Sequence, residues 1–181
     1  MRITKQRAAE NHERVVEAAT RLFREKGFDG VGVAELMAAA GMTHGGFYNH
    51  FGSKDELEAA ACARLFEKSV ARIAAVADAP EAAFAAYRAR YVSAEARDSS
   101  AANCPMVAFA GDVSRHGEAV REAYASGLRD YLQAFAKASG KPRAAAIREF
   151  AALVGALTLA RSVAASDAAL SDEILAAAQE G

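Results

Sequence analysis

Three stretches of this sequence hold residue types suited to chemistry or recognition. The first is Thr43-His44-Gly45-Gly46-Phe47-Tyr48-Asn49-His50-Phe51, where hydroxyls, imidazoles and an amide surround two adjacent glycines. The second is Tyr87 and Tyr91, at i and i+4, with Arg88 and Arg90 beside them. Two tyrosine hydroxyls seek hydrogen-bond partners, and with nearby cations they suit an acid or a phenol. The third is Asn103-Cys104-Pro105. If Pro105 is the first helical residue, Cys104 sits at the N-cap, where a helix N-terminus lowers a thiol's pKa. The same residue also reads as a small buried cysteine packed under the helix. Catalytic patterns are lacking. His12, His44, His50 and His116 share no metal-ligand spacing with cysteine or acid. No phosphate-binding glycine loop follows a strand. Ser114, Arg115 and His116 are adjacent, and no acid is evidently poised to orient the histidine. Neither an enzyme nor a metal or cofactor site is expected.

The elements that position these residues read as helices throughout. The chain has 181 residues, 52% of them hydrophobic, with three prolines. Much of the apolar fraction is alanine, the strongest helix former. That length suits one compact unit, or a small module joined to a larger one. No apolar run of about 18 residues appears, so no membrane span is expected. Met1 to Arg14 is polar, unlike a secretory leader, and two cysteines make no disulfide framework, so a cytoplasmic location is expected. The net charge of -1 is unevenly spread. Residues 1–54 hold 8 Lys+Arg against 6 Asp+Glu, and the remainder 14 against 17. The mildly basic N-terminal part would suit a polyanion.

Met1 to Asn11 reads as a polar arm, with Arg2, Lys5 and Arg7 able to reach a groove. The first helix spans about His12 to Lys26, with Val15, Ala19, Leu22 and Phe23 on one face and Gly27 as its stop. A short helix runs from about Val33 to Ala40. Thr43 is placed to cap a third, ending near Phe51. Ser53 and Glu56 form a capping box that opens a long helix to about Ala77. Pro80 opens a helix over about Glu81 to Arg97, and Asp98 to Asn103 is a loop. Further helices follow Pro105, from Gly117 to about Ser139, from Arg143 to Ala165, and from Leu170 to Gln179. The fold class is all-α with about nine helices.

Each glycine inside a helix costs roughly 0.5–1 kcal/mol relative to alanine. Two in one first turn need a reason. Three short helices ending in this stretch fit a helix-turn-helix, whose second helix enters the DNA major groove by its N-terminal end. Glycine lets backbone approach another surface, and free N–H groups there suit a phosphate. Phe47 and Phe51 should face inward, leaving Tyr48, Asn49 and His50 outward.

Gly27-Phe28, Ala34-Glu35-Leu36, Ala40 to Phe51 and Ser53-Lys54-Asp55-Glu56-Leu57 together resemble the TetR family of bacterial transcriptional regulators. The resemblance covers about His12 to Leu57. It implies an N-terminal three-helix helix-turn-helix domain over 1–54 and a C-terminal helical ligand-binding and dimerisation domain over 55–181. It further implies a homodimer on a double-stranded, palindromic DNA operator, released by a small-molecule effector, with repression as the family default. Thr43, His44, Gly45, Tyr48, Asn49, His50 and Lys54 fall where family members contact DNA. Thr43, Tyr48 and Lys54 would hold phosphates, while His44, Gly46 and Asn49 would face base edges. Gly32 stands where the family often has a capping Thr or Ser, and His44 where lysine is frequent.

Candidate ligand-binding residues are Phe66, Tyr87, Tyr91, Cys104, Met106 and Phe109. Asn103-Cys104-Pro105 is also similar to cysteine motifs in family branches that sense electrophiles. Phe150, Leu153, Val154, Leu157 and Arg161, with Ile174, are expected to build the dimer interface, and Gly155 would permit close helix approach. The alternative is a helical small-molecule-binding module without specific DNA binding.

Overall fold

The computed structural model describes residues 5–79, 82–99 and 104–180. Arg2, Pro80, Glu81 and Asn103 lie outside the described residues, and so do the expectations placed on them. The described residues are helical, without a strand, and pack as two compact units. The first runs through Glu67 and takes in Ala108–Gly127. The second comprises Lys68–Val107 and the chain from Leu128 onward.

In the first unit, α1 (Lys5–Lys26) begins seven residues earlier than its apolar periodicity indicates. Residues 5–11 are exposed or nearly so and polar on all sides, so no apolar stripe marks them. They continue the helix through strong helix formers and the Gln6–Glu10 hydrogen bond of 3.0 Å at i,i+4. Lys5 and Arg7 therefore belong to a helix, not to an arm. α2 (Val33–Ala39) follows Gly32, which caps it without a side-chain hydrogen bond. Gly27 at φ 74° and Gly41 at φ 70° end α1 and α2 in the left-handed conformation. Arg14 donates from Nη2 to the Ala40 carbonyl at 2.7 Å, pinning α1 to the end of α2. Val15, Phe23, Phe28, Leu36, Phe47 and Leu57 build the core. Phe28 stacks on Phe109 at 4.4 Å. α3 (Lys54–Ala77) opens as the capping box predicts, with Glu56 N donating to Ser53 Oγ at 3.1 Å. The Glu56 carboxylate reaches one residue further back than expected and accepts from Gly52 N at 2.6 Å.

The second unit holds the rest of α3 with α4 (Ala82–Tyr91), α5 (Ala94–Asp98), most of α7 (Glu118–Ser139), α8 (Arg143–Val163) and α9 (Ala168–Glu180). α6 (Pro105–Phe109) starts here and ends in the first unit. The single helix expected through Arg97 is broken at Ser93, whose Oγ accepts from Ala96 N at 3.1 Å and starts α5 afresh. The core of this unit is aromatic. Phe150 lies 4.7 Å from Tyr131, 5.0 Å from Phe135 and 5.8 Å from Tyr91, centroid to centroid. α9 returns along α8, held where the buried Ser171 hydroxyl donates to the Ala160 carbonyl at 2.9 Å. No helix among the described residues is long and apolar enough to cross a membrane.

Candidate nucleic-acid interface and internal cavity

Residues His44–Asn49 form a 3₁₀ helix of six residues following α2. Phe47 and Phe51 anchor it in the core, 5.8 Å apart, and His12 stacks on Phe51 at 4.4 Å. That anchoring turns the intervening positions outward. Thr43, His44, Gly45 and Asn49 are exposed, Gly46 and His50 are half-buried, and Tyr48 is 71% exposed. The Tyr48 ring is thus held open to water between two buried phenylalanines.

The paired glycines have no explanation within the chain. Neither has a positive φ, so neither needs glycine's freedom. A Cβ on Gly45 would meet nothing within 4 Å, and one on Gly46 only ordinary contacts with Met37 and Thr43. Thr43 makes no side-chain cap bond, contrary to its expected capping role.

Lys54 is committed differently from expectation. Its ammonium donates to the Phe28 carbonyl at 2.7 Å and pairs with Glu58 at 3.2 Å, while lying over the Phe23 ring. Glu58 in turn meets His116 Nδ1 at 3.1 Å. An acid is therefore poised on His116, which the sequence did not disclose across 58 residues. It makes no hydrolytic triad, because His116 Nε2 is buried without a hydrogen-bond partner.

A cavity of about 230 Å³ opens within the second unit. α3 contributes Ser69, Arg72 and Val76, and α4 contributes Tyr87, Arg90 and Tyr91. Ala96, Cys104, Tyr131 and Leu157 complete it. Of the six expected ligand residues, Tyr87, Tyr91 and Cys104 line it. Phe66 instead packs against Tyr124 and Gly127, Phe109 stacks on Phe28, and Met106 is buried with its sulfur 3.8 Å from that of Cys104. Tyr131, Arg72 and Ser69 escaped notice because they stand on helices far apart in sequence. The i, i+4 tyrosine spacing and the cysteine before Pro105 were the signals of the site.

The Tyr87 and Tyr131 hydroxyls are hydrogen-bonded to each other. Burial pushes Tyr87 up to about 12 and holds Tyr91 and Tyr131 well above the usual phenol range. Tyr91 Oη is buried with no hydrogen-bond partner of normal geometry, and the Cys104 thiol is its polar neighbour. The Cys104 pKa is raised, not lowered. Burial outweighs the Tyr91 hydroxyl and the backbone N–H groups of Met106 and Val107. Cys104 is a buried, protonated thiol at neutral pH.

On α8, Phe150, Leu153 and Leu157 are 3%, 2% and 1% exposed. Packing inside the unit takes up these three expected interface residues. Val154, Arg161 and Ile174 are half-buried, and Arg161 Nη2 donates to the Ala96 and Ser99 carbonyls. The open face of α8 carries Ile147, Ala151, Thr158, Leu159 and Ser162, with Leu170 exposed on α9. Gly155 borders it, with open space where a Cβ would stand.

A short helical unit that fixes an exposed, glycine-opened 3₁₀ helix by two buried phenylalanines is a helix-turn-helix module. Residues 15–61 match the family model described as bacterial regulatory proteins, tetR family. The HTH-type transcriptional regulator AcrR of Shigella flexneri is 39% identical over 56 residues. That match takes in 31% of this chain and 26% of AcrR, so the chain spans about a quarter of that relative's length. The fold is similar over nearly the whole chain to two solved structures. NemR of E. coli in its reduced form gives a TM-score of 0.77 over 94% of this chain and 96% of that one, at 21% identity. A TetR-family regulator from Cytophaga hutchinsonii gives 0.77 over 99% and 96%, at 17% identity.

Proposed function

We propose that this protein is a homodimeric transcriptional repressor that leaves a palindromic DNA operator when a small molecule occupies the cavity of the second unit. One observation carries the reading. Gly45 and Gly46 answer to no backbone or packing need inside the chain, and they open the helix that presents Tyr48 to solvent. Docked on DNA, the bare first turn brings backbone N–H groups to a phosphate. Tyr48 and Thr43 hydroxyls hold the backbone, while Asn49 and His44 face base edges. Lys54 acts through its own bonds to Phe28 and Glu58, which fix the start of α3. That same helix supplies Arg72 to the cavity. The open apolar face of α8 and α9 takes the second copy, and two-fold symmetry matches a palindrome.

The test is a titration of the purified protein against its own upstream intergenic DNA at two salt concentrations, beside Tyr48→Ala. Selective binding that weakens with salt and drops at least ten-fold in Tyr48→Ala supports the reading. Salt-insensitive, non-selective association equal in both proteins favours a helical binding module without DNA recognition.

A further inference from the structure

The chemistry of the cavity points to a particular kind of occupant, and this inference rests on the regulator reading only in calling that occupant an effector. We propose that the cavity binds a single-ring aromatic acid carrying a ring hydroxyl.

Size sets the first limit. At about 230 Å³ the cavity falls below the roughly 300–1,000 Å³ typical of pockets for drug-sized ligands, which leaves room for one ring. Tyr87, Tyr91 and Tyr131 line it, and tyrosine faces and edges favour a flat aromatic guest over an aliphatic chain of equal volume.

Charge sets the second. Among the described residues, two arginines line the cavity and no carboxylate does. Both Arg72 and Arg90 are exposed, whereas Cys104 and Tyr131 are buried, so the cavity runs from a cationic rim to a neutral interior. An anion held at such a rim keeps part of its hydration and meets a guanidinium fork suited to carboxylate. A cation would meet like charge at the rim and no acid among the described lining residues.

The interior sets the third. Tyr91 Oη is sealed from solvent with no hydrogen-bond partner of normal geometry, only the Cys104 thiol beside it, while the Tyr87 and Tyr131 hydroxyls satisfy one another. A buried hydroxyl left unpaired is unfavourable, so a guest that brings it a partner gains by doing so. Burial keeps Tyr91 and Cys104 protonated, so the interior repels no oxygen lone pair. A ring hydroxyl on the far side of the guest from its carboxylate completes the fit.

Calorimetric titration of the DNA-free protein with benzoate, 3-hydroxybenzoate, 4-hydroxybenzoate and benzylamine tests this. At least one hydroxybenzoate should bind five-fold or more tightly than benzoate, and benzylamine should not bind. Tyr91→Phe should erase the hydroxyl advantage, bringing the hydroxybenzoates to within two-fold of benzoate in that variant. Arg72→Gln, on the exposed rim where folding is not at risk, should weaken the acids about ten-fold. Benzylamine binding as well as the acids overturns the proposal. So does a hydroxyl advantage that survives Tyr91→Phe, or no acid binding at millimolar concentration. Failure here with intact operator binding sinks the ligand class alone. Acid binding by a protein that never engages DNA sinks the regulator reading alone.

Discussion

Glu58 Oε2 lies 3.1 Å from His116 Nδ1, with the carboxylate buried and the imidazole nearly so. Because a carboxylate only accepts, Nδ1 carries the proton in this bond. The other carboxylate oxygen holds Lys54, so one acid fixes both the start of α3 and the segment before α7. Phe28 closes over the pair, 4.8 Å from the His116 ring.

Loss of this acid should be costly. Glu58→Ala strips the partner from a nearly buried imidazole and from the part-exposed Lys54, and leaving a buried hydrogen-bonding group unpaired costs about 1–3 kcal/mol. Urea unfolding should show the midpoint fall with the slope unchanged. A change below about 0.5 kcal/mol, the usual size for a neutral surface substitution, would remove the pair's structural role.

Gly45→Ala separates folding from DNA binding. The backbone there has no positive φ and the added methyl meets open space, so stability should hold or rise by about 0.4–1 kcal/mol. Operator affinity should nonetheless fall at least ten-fold. A variant that binds DNA like the parent would show that the first turn never approaches a phosphate.

Core and open face of α8 should respond in opposite ways. Phe150→Ala deletes a ring packed against three others and should cost about 3–5 kcal/mol. Leu159→Glu, at a position 58% exposed, should leave the protomer's unfolding nearly unchanged and shift the protein toward monomer in light scattering. A fully dimeric Leu159→Glu protein would place the second copy elsewhere.

Alkaline pH should weaken the fold through Cys62. Burial pushes its thiol up to about 12 from an ordinary value of 9.0, so the folded state keeps the proton longer than the unfolded chain. Stability is fully present below about pH 9 and declines toward pH 12, at up to about 1.4 kcal/mol per pH unit from this group. Cys62→Ala should flatten that decline by the same amount in pH-dependent unfolding. An identical slope in both proteins would mean that Cys62 ionises freely in the native state.

Cys104→Ser should bind operator DNA and leave it on acid binding as the parent does. The buried thiol should also resist iodoacetamide at neutral pH in the folded protein. Rapid alkylation of Cys104, with release of DNA, would instead establish a covalent sensor.

The sequence by itself determined most of the helices and which residues of the Thr43–Phe51 stretch face outward, because these are set by local chemistry. Val15, Ala19, Leu22 and Phe23 recur at helical spacing, Gly27 and Gly41 end helices where φ turns positive, and Ser53 with Glu56 opens α3. Phe47 and Phe51 face inward, and Tyr48 outward, for the same periodic reason. The α1 extension was hidden because a helix polar on every side leaves no apolar stripe. What only the tertiary structure decided was every pairing across distance. Tyr131 joins Tyr87 across 44 residues, Glu58 finds His116 across 58, and Phe150, Leu153 and Leu157 turn into the core instead of toward a partner. Helical spacing tells which residues share a face, and only the packing of helices against one another decides what that face meets. Desolvation depends on packing as well, which is why Cys104, at the head of a helix, is a raised and not a lowered thiol.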